Sequence, residues 1–211
     1  MNARDAILSR IRAAVADVPA GPVEVPRAYL RSAPGITPGD RTATVELFTQ
    51  RLREYGATVR RVPATDLPAA VADSLDEQAA RSAVVPEGLP AAWPAQWSGE
   101  IRRDVPELSK AELDGTDAVV TMCAAAVADS GTIVLDAGPG QGRRAPTLVP
   151  DVHVCVVRED QVCSSLPEVI TRIDPRRPIT WISGPSATAD IEMIRVQGVH
   201  GPRKLTVLIT P

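Results

Sequence analysis

The sequence predicts an α/β fold: a mixed, largely parallel sheet with helices on both faces, plus an N-terminal helical appendage. Three observations carry that expectation. Strand-like and helix-like segments alternate from residue 57 to residue 209, the pattern that βαβ units leave in a sequence. The strand-like segments, such as Ala118–Met122 and Val152–Val157, are short and almost continuously apolar, as strands buried on both faces require. The strands around 124–135 lie too close together for a crossover, and a parallel pair needs a connection of about a dozen or more residues. This pair is therefore expected to run antiparallel and make the sheet mixed.

The elements follow in order. Ile7, Ile11, Ala14, Val15 and Val18 recur at helical spacing over residues 2–17, and Pro19, Gly21 and Pro22 stop that helix. Prolines and glycines crowd residues 19–40, which marks a linker rather than an element. The expected division is thus an N-terminal helix and linker over 1–40 and an α/β domain over 41–211. A helix over 41–55 places Val45, Phe48, Leu52 and Tyr55 on one face, and Gly56 ends it. Ala57–Val62 reads as a strand. Thr65–Ala80 reads as a helix, with Thr65 or Asp66 as N-cap and Pro68 in its first turn. Ser82–Val85 is a buried strand ended by Pro86. Pro90–Ser98 is irregular or one helical turn, Glu100–Asp104 a strand and Ser109–Leu113 a helical turn. Strands are expected at Ala118–Met122, within Val127–Leu135, and at Val152–Val157, Ile179–Ile182 and Leu205–Ile209. Helices are expected over about 160–173 and 188–194.

Composition narrows the function classes. The 211 residues suit one domain with an appendage. Phe48 is the single phenylalanine, so Ala, Val, Leu and Ile must build the core. The net charge is −3 and neither half is markedly basic, which speaks against nucleic acid as a partner. No apolar run reaches the roughly 18 residues of a membrane span. The opening residues alternate charged and apolar side chains, unlike a signal peptide, so a cytoplasmic location is expected. Cys123, Cys155 and Cys163 form no Cys-x-x-Cys motif, so neither a disulfide framework nor an iron–sulfur site is expected. Cys123 and Cys155 read as small buried hydrophobes. His153 and His200 are the two histidines, with no His-x-x-His or Glu-x-x-His pattern, and no metal site is expected.

Three segments are candidate sites. The first joins Ser130, Gly131 and Thr132 to the glycine-rich stretch Gly138–Gly142 and to Arg143 and Arg144. Glycines let backbone N–H groups approach a ligand, and guanidinium groups neutralise a phosphate or carboxylate. The bland alternative is a hairpin turn and a solvated loop. The second is Ser183–Thr188, including Gly184, Ser186 and Thr188, opening the expected helix. Helix N-termini attract anions, but Asp190 and Glu192 in the first turns would repel one. Ser186 or Thr188 can also serve simply as a cap. The third is His200 between Gly198 and Gly201-Pro202, where two readings stand: a general acid/base, or a loop-closing hydrogen bond. His153, at the start of an apolar strand, reads as structural. Gly184-Pro185-Ser186 lacks the Gly-x-Ser-x-Gly elbow. Thr121 and Ser130 are hydroxyls whose role only geometry can assign.

Ala128-Asp-Ser-Gly-Thr-Ile-Val-Leu135, Arg144 through Pro150-Asp-Val-His153, Gly184-Pro-Ser-Ala-Thr-Ala-Asp-Ile-Glu192 and Gly198-Val-His-Gly-Pro202 together resemble the lactate utilization protein C family, the LUD-domain proteins. Asp5–Arg12 is similar to that family's opening helix. The family often has Thr-Gly-Thr where this chain has Ser130-Gly131-Thr132. It often carries Arg after the serine of Gly-Pro-Ser, where this chain has Ala187. The resemblance implies a fold similar to the NagB/RpiA/CoA-transferase group. It also implies a part in oxidising L-lactate to pyruvate beside iron–sulfur partner proteins. The chain itself shows no flavin or dinucleotide fingerprint, so it reads as an accessory non-redox subunit without a cofactor of its own.

A different class stays open: a stand-alone enzyme or ligand sensor of that fold, acting on a small phosphorylated, CoA-linked or folate-like ligand. Whether the chain turns over a substrate is also open. Ser130–Thr132, Arg143, Arg144, Ser186–Glu192 and His200 are expected to converge on one cleft for a small anionic ligand. Within it Asp190, Glu192 and His200 are the catalytic candidates. The apolar face of helix 2–17 is available to a second copy of the chain or to a partner. Mild proteolysis is expected to cut first within residues 19–40 and release that helix from an intact body. First cuts elsewhere would contradict the division.

Overall fold

The computed structural model describes residues 2–17, 21–22, 24–188, 196–197 and 201–211. Six strands form one sheet: β1 (Thr58–Arg61), β2 (Ser82–Val85), β3 (Glu100–Arg103), β4 (Ala118–Thr121), β7 (Val152–Arg158) and β12 (Lys204–Thr210). Their order is β1-β12-β7-β4-β2-β3 and every pair is parallel. The central strands are buried throughout, Val152 to Val157 and Leu205 to Thr210 without an exposed residue. Their continuous apolar runs are what two covered faces demand.

The antiparallel pair predicted near 124–135 exists, but in a sheet of its own. β5 (Ala125–Val127) and β6 (Thr132–Leu135) form a hairpin, flanked by β8 (Val162–Cys163) parallel to β5 and β9 (Thr180–Ile182) antiparallel to β6. The reason lies in the connections. β4 and β7 are neighbours, as are β7 and β12, and parallel neighbours need crossovers. The first crossover carries β5 and β6; the second carries β8 and β9. Each covers the main sheet with strands rather than with a long helix, and the two crossovers pair with each other.

One face of the small sheet, with Ala126, Ile133, Leu135 and Val162, stacks on Cys155, Val157, Leu205, Val207 and Ile209 of the main sheet. α2 (Arg41–Glu54) closes this layer with Val45, Phe48 and Leu52, all fully buried. Asp40 starts α2 by accepting from the Ala43 N–H at 3.0 Å, which satisfies one of the free donors of its first turn. The other face of the small sheet, with Val127, Val134 and Cys163, packs Val169 of α5 (Leu166–Ile170). The opposite face of the main sheet presents Ala83, Val85, Val120, Val154, Val156 and Leu208 to α3 (Leu67–Glu77), which supplies Leu67, Val71 and Leu75. Each such side chain contributes about 1.5–3 kcal/mol on burial.

Several elements depart from expectation. Residues 65–80 divide into a 3-10 turn, Ala64–Asp66, and α3. Asp66 holds the N-cap position without a side-chain capping bond. Ser109 caps α4 (Lys110–Asp114) in a reciprocal box with Glu112. The helix expected over 160–173 is broken. A 3-10 turn at Glu159–Gln161 leads into β8, and α5 begins only after Ser165. Val162 and Cys163 must pair with Ala126 and Val127, and Pro167 near the start of α5 suits a new first turn. The expected helix at 188–194 also fails at its start. Ala187–Thr188 is a strand, β10, paired antiparallel with Val196–Gln197, β11; residues 189–195 lie outside the described ones. α1 (Ala3–Ala14) is capped by Asn2 and buries none of its residues. Farther along, the Ala33 N–H donates to Ser164 Oγ and the Ser165 hydroxyl to Leu30 O.

Gly131 turns the β5–β6 hairpin with φ +61°, and a Cβ there would stand 2.8 Å from Arg51 Cβ and 3.0 Å from its backbone carbon. Gly131→Ala is expected to cost about 2–4 kcal/mol, from the left-handed backbone and the enforced shift of α2. The melting midpoint should fall by about 5–15 °C; an unchanged midpoint in a thermal unfolding scan would contradict the packing.

Candidate functional site

A cavity of about 220 Å³ opens between the two sheets, at the end where β7 and β12 begin. His153 and Leu205, second residues of those strands, form its floor. The turn Arg144–Leu148 makes one wall, and Thr180–Ser186 the other. The Ser186 N–H donates to Pro202 O at 2.8 Å, tying that wall to the approach of β12. Gly184 is required here. Its φ is +80°, and a Cβ would fall 2.5 Å from Tyr55 Cβ, so only glycine lets the segment pass the end of α2.

The two consecutive arginines divide. Arg143 forks onto Asp104, Nε to Oδ2 at 2.8 Å and Nη2 to Oδ1 at 3.0 Å, and Nη2 also donates to Leu108 O at 2.7 Å. The Asp104 side chain is 6% exposed, so this bidentate pair is a structural clamp. It borders a separate cleft beyond the ends of β2 and β3. Arg144 is exposed on the 220 Å³ cavity, and its Nη1 donates to the Thr180 hydroxyl at 2.9 Å. Among the described residues no carboxylate pairs with it.

The glycine-rich stretch is closed on itself. The Gly138 N–H donates to Asp136 Oδ1, the Gly140 N–H to Glu87 O and the Gln141 N–H to Gly138 O. Asp136 also pairs with Arg177 at 3.0 Å. These donors are spent, so the stretch is no cradle for a phosphate. Ser130 and Thr132 reach the cavity indirectly. Their hydroxyls lie 2.7 Å apart, and Thr132 Oγ1 lies 2.7 Å from Ser183 Oγ, which lines the wall. The cavity thus gathers Arg144, Gly184 and Ser186 directly and Ser130 and Thr132 through Ser183. Gly131 serves the hairpin, Arg143 faces the other cleft, and Thr188 lies in β10. Asp190, Glu192 and His200 lie outside the described residues.

Behind the floor runs a buried polar row that sequence reading missed. The Thr121 hydroxyl and His153 Nε2 are 2.8 Å apart, with the ring 1% exposed. Cys155, across from Thr121 in the β4–β7 register, follows on the same face, and Cys123 stands beside it. The Cys123 thiol donates to Gln161 Oε1 at 3.4 Å. Its closeness to Cys155, followed by that of His153 and Thr121, brings the Cys155 thiol down to about 5 against the opposing effect of burial, and the same closeness pushes Cys123 well above the ordinary thiol range. Burial pushes Cys163 up to about 11. The i, i+2 spacing of His153 and Cys155 signals one shared strand face; Thr121 and Cys123 join it only through the register. Because all three thiols are buried, Ellman's reagent is expected to count none in the native protein at mildly alkaline pH and all three after denaturation. Fast native labelling would show the row to be open.

The LUD domain family matches residues 45–210. Lactate utilization protein C of Deinococcus radiodurans is 47% identical over 176 residues, covering 82% of each chain. Uncharacterized protein YkgG of Escherichia coli is 36% identical over 89 residues, 38% of each chain. Among solved structures, a DUF162 family protein from Deinococcus radiodurans superposes with a TM-score of 0.70 at 41% identity, covering 82% of this chain and all of that one. With the family match spanning both sheets and the cavity between them, this chain belongs to the LUD-domain family.

Proposed function

We propose that this chain takes part in lactate utilization, as the cytoplasmic, non-redox subunit of a system that oxidises L-lactate to pyruvate beside iron–sulfur partner proteins. The observation that carries the reading is the 47% identity, over 82% of both chains, to a relative named lactate utilization protein C. Taking two electrons from a 2-hydroxy acid calls for a redox group, and in this reading the partners supply it. The domain over 41–211 handles the ligand. In this reading the helix of the 1–40 segment is a separate unit, with Ile7, Ile11 and Val15 more than half exposed, while Leu30 and Ala33 farther along are bonded to Ser165 and Ser164 of the domain.

Reconstitution tests the reading. The purified chain and the iron–sulfur proteins proposed as its partners are mixed with L-lactate and a dye acceptor. Dye reduction is expected with the full set, and to fall to background when this chain is left out. The chain alone should reduce nothing. Lactate-dependent reduction by the chain alone, or full activity without it, would overturn the proposal.

A further inference from the structure

We propose that the cavity between the sheets binds a short-chain monocarboxylate with a hydroxyl or oxo group beside the carboxylate. This rests on the lactate-utilization reading and names the ligand of its site. Three features of the cavity select that class.

The first is charge. Arg144 is the one Lys or Arg side chain among the described lining residues, and among the described residues its guanidinium bonds the Thr180 hydroxyl and no carboxylate. A fork of donors without a carboxylate, fixed beside a cavity, matches one carboxylate in bidentate geometry. Its neighbour Arg143 shows the contrast, because Asp104 already fills that role there. The His153 ring is buried at the floor, with Nε2 2.8 Å from the Thr121 hydroxyl. One guanidinium suits a monoanion and leaves a phosphate dianion half compensated.

The second feature is size. A cavity of about 220 Å³ lies below the ~300–1,000 Å³ typical of drug-sized ligands, which favours a small ligand. The third is the lining. Ser183 ends a chain of three hydroxyls running from Ser130 through Thr132. Such a chain delivers either a donor or an acceptor at its open end, as its protons reorient. It therefore accommodates a hydroxyl or an oxo group beside the carboxylate. Leu148, Leu205 and Trp181 complete the lining and suit a short alkyl end.

Trp181 is also a reporter. It is 42% exposed in the cavity wall, whereas Trp93 and Trp97 pack with α3 on the far side of the main sheet. The full-length protein is titrated with L-lactate, pyruvate, acetate, inorganic phosphate and CoA, read by tryptophan emission and by calorimetry. L-lactate and pyruvate are expected to bind and change the emission, acetate to bind more weakly, and phosphate and CoA not to compete. Arg144→Gln should weaken binding about ten- to hundred-fold with an unchanged melting midpoint, because its side chain is exposed. Arg143→Gln should keep the affinity and lower the midpoint. Preferential binding of phosphate or CoA, or carboxylate binding indifferent to Arg144→Gln, would overturn the assignment. Absence of carboxylate binding while reconstituted lactate oxidation still needs the chain would sink this inference alone. Carboxylate binding without any such need would sink the functional reading alone.

Discussion

The structure depends on one topological constraint: an all-parallel sheet must be crossed over and must be covered on both faces. Here the coverage of one face comes from strands carried by the crossovers themselves. β5 and β6 belong to the first crossover and β8 and β9 to the second. Neither set is a complete sheet alone, and an isolated hairpin is marginal in water. Pairing the two crossovers satisfies the backbone donors of both and stacks a second apolar layer on the first. Small residues at the junction, Ala126, Ala128, Cys123 and Cys155, let the layers approach with a single phenylalanine at their edge.

The cavity is a by-product of that arrangement. Both crossovers must return to the start of a main-sheet strand, at Val152 and at Lys204. Near those returns the layers part, and the ends of Arg144–Leu148 and Thr180–Ser186 border the gap. Sequence reasoning placed the ligand outside the carboxyl ends of one sheet, the usual place in open α/β folds. The cleft beside Arg143 does lie beyond the carboxyl ends of β2 and β3, while the Arg144 cavity lies between two sheets and near strand beginnings. The rule presumes crossovers made of helices, and strand-bearing crossovers open a further gap between the layers.

The buried row Thr121–His153–Cys155–Cys123 shows how the same architecture treats polar groups. A histidine 1% exposed is tolerable only with its ring bonded, and Thr121 provides that bond at 2.8 Å. Thr121 is the last residue of β4, opposite Cys155 in β7. Its hydroxyl therefore serves two side chains that are two apart on the neighbouring strand. The row links the floor of the cavity to Gln161, whose side chain bonds both the Cys123 carbonyl and the Arg158 N–H.

The sequence by itself determined the class of fold, the main-sheet strands and the helices that cover them. Apolar runs, helical periodicity and capping residues are local signals, and Val152–Val157, Phe48 with Leu52, and Ser109 with Glu112 each carry one. It also marked Arg144, Gly184 and Ser186 as worth attention, through clustered glycines, hydroxyls and guanidinium groups. Tertiary structure decided what no local signal encodes. It split the small strands into a second sheet, since strand partners are chosen by which faces need covering. It broke residues 160–173, because Val162 and Cys163 were needed beside Ala126 and Val127. It separated Arg143 from Arg144, which differ only in whether a buried carboxylate, Asp104, comes within reach. A side chain's role as clamp or receptor depends on the partners that distant segments bring to it, and those are fixed only when the layers pack.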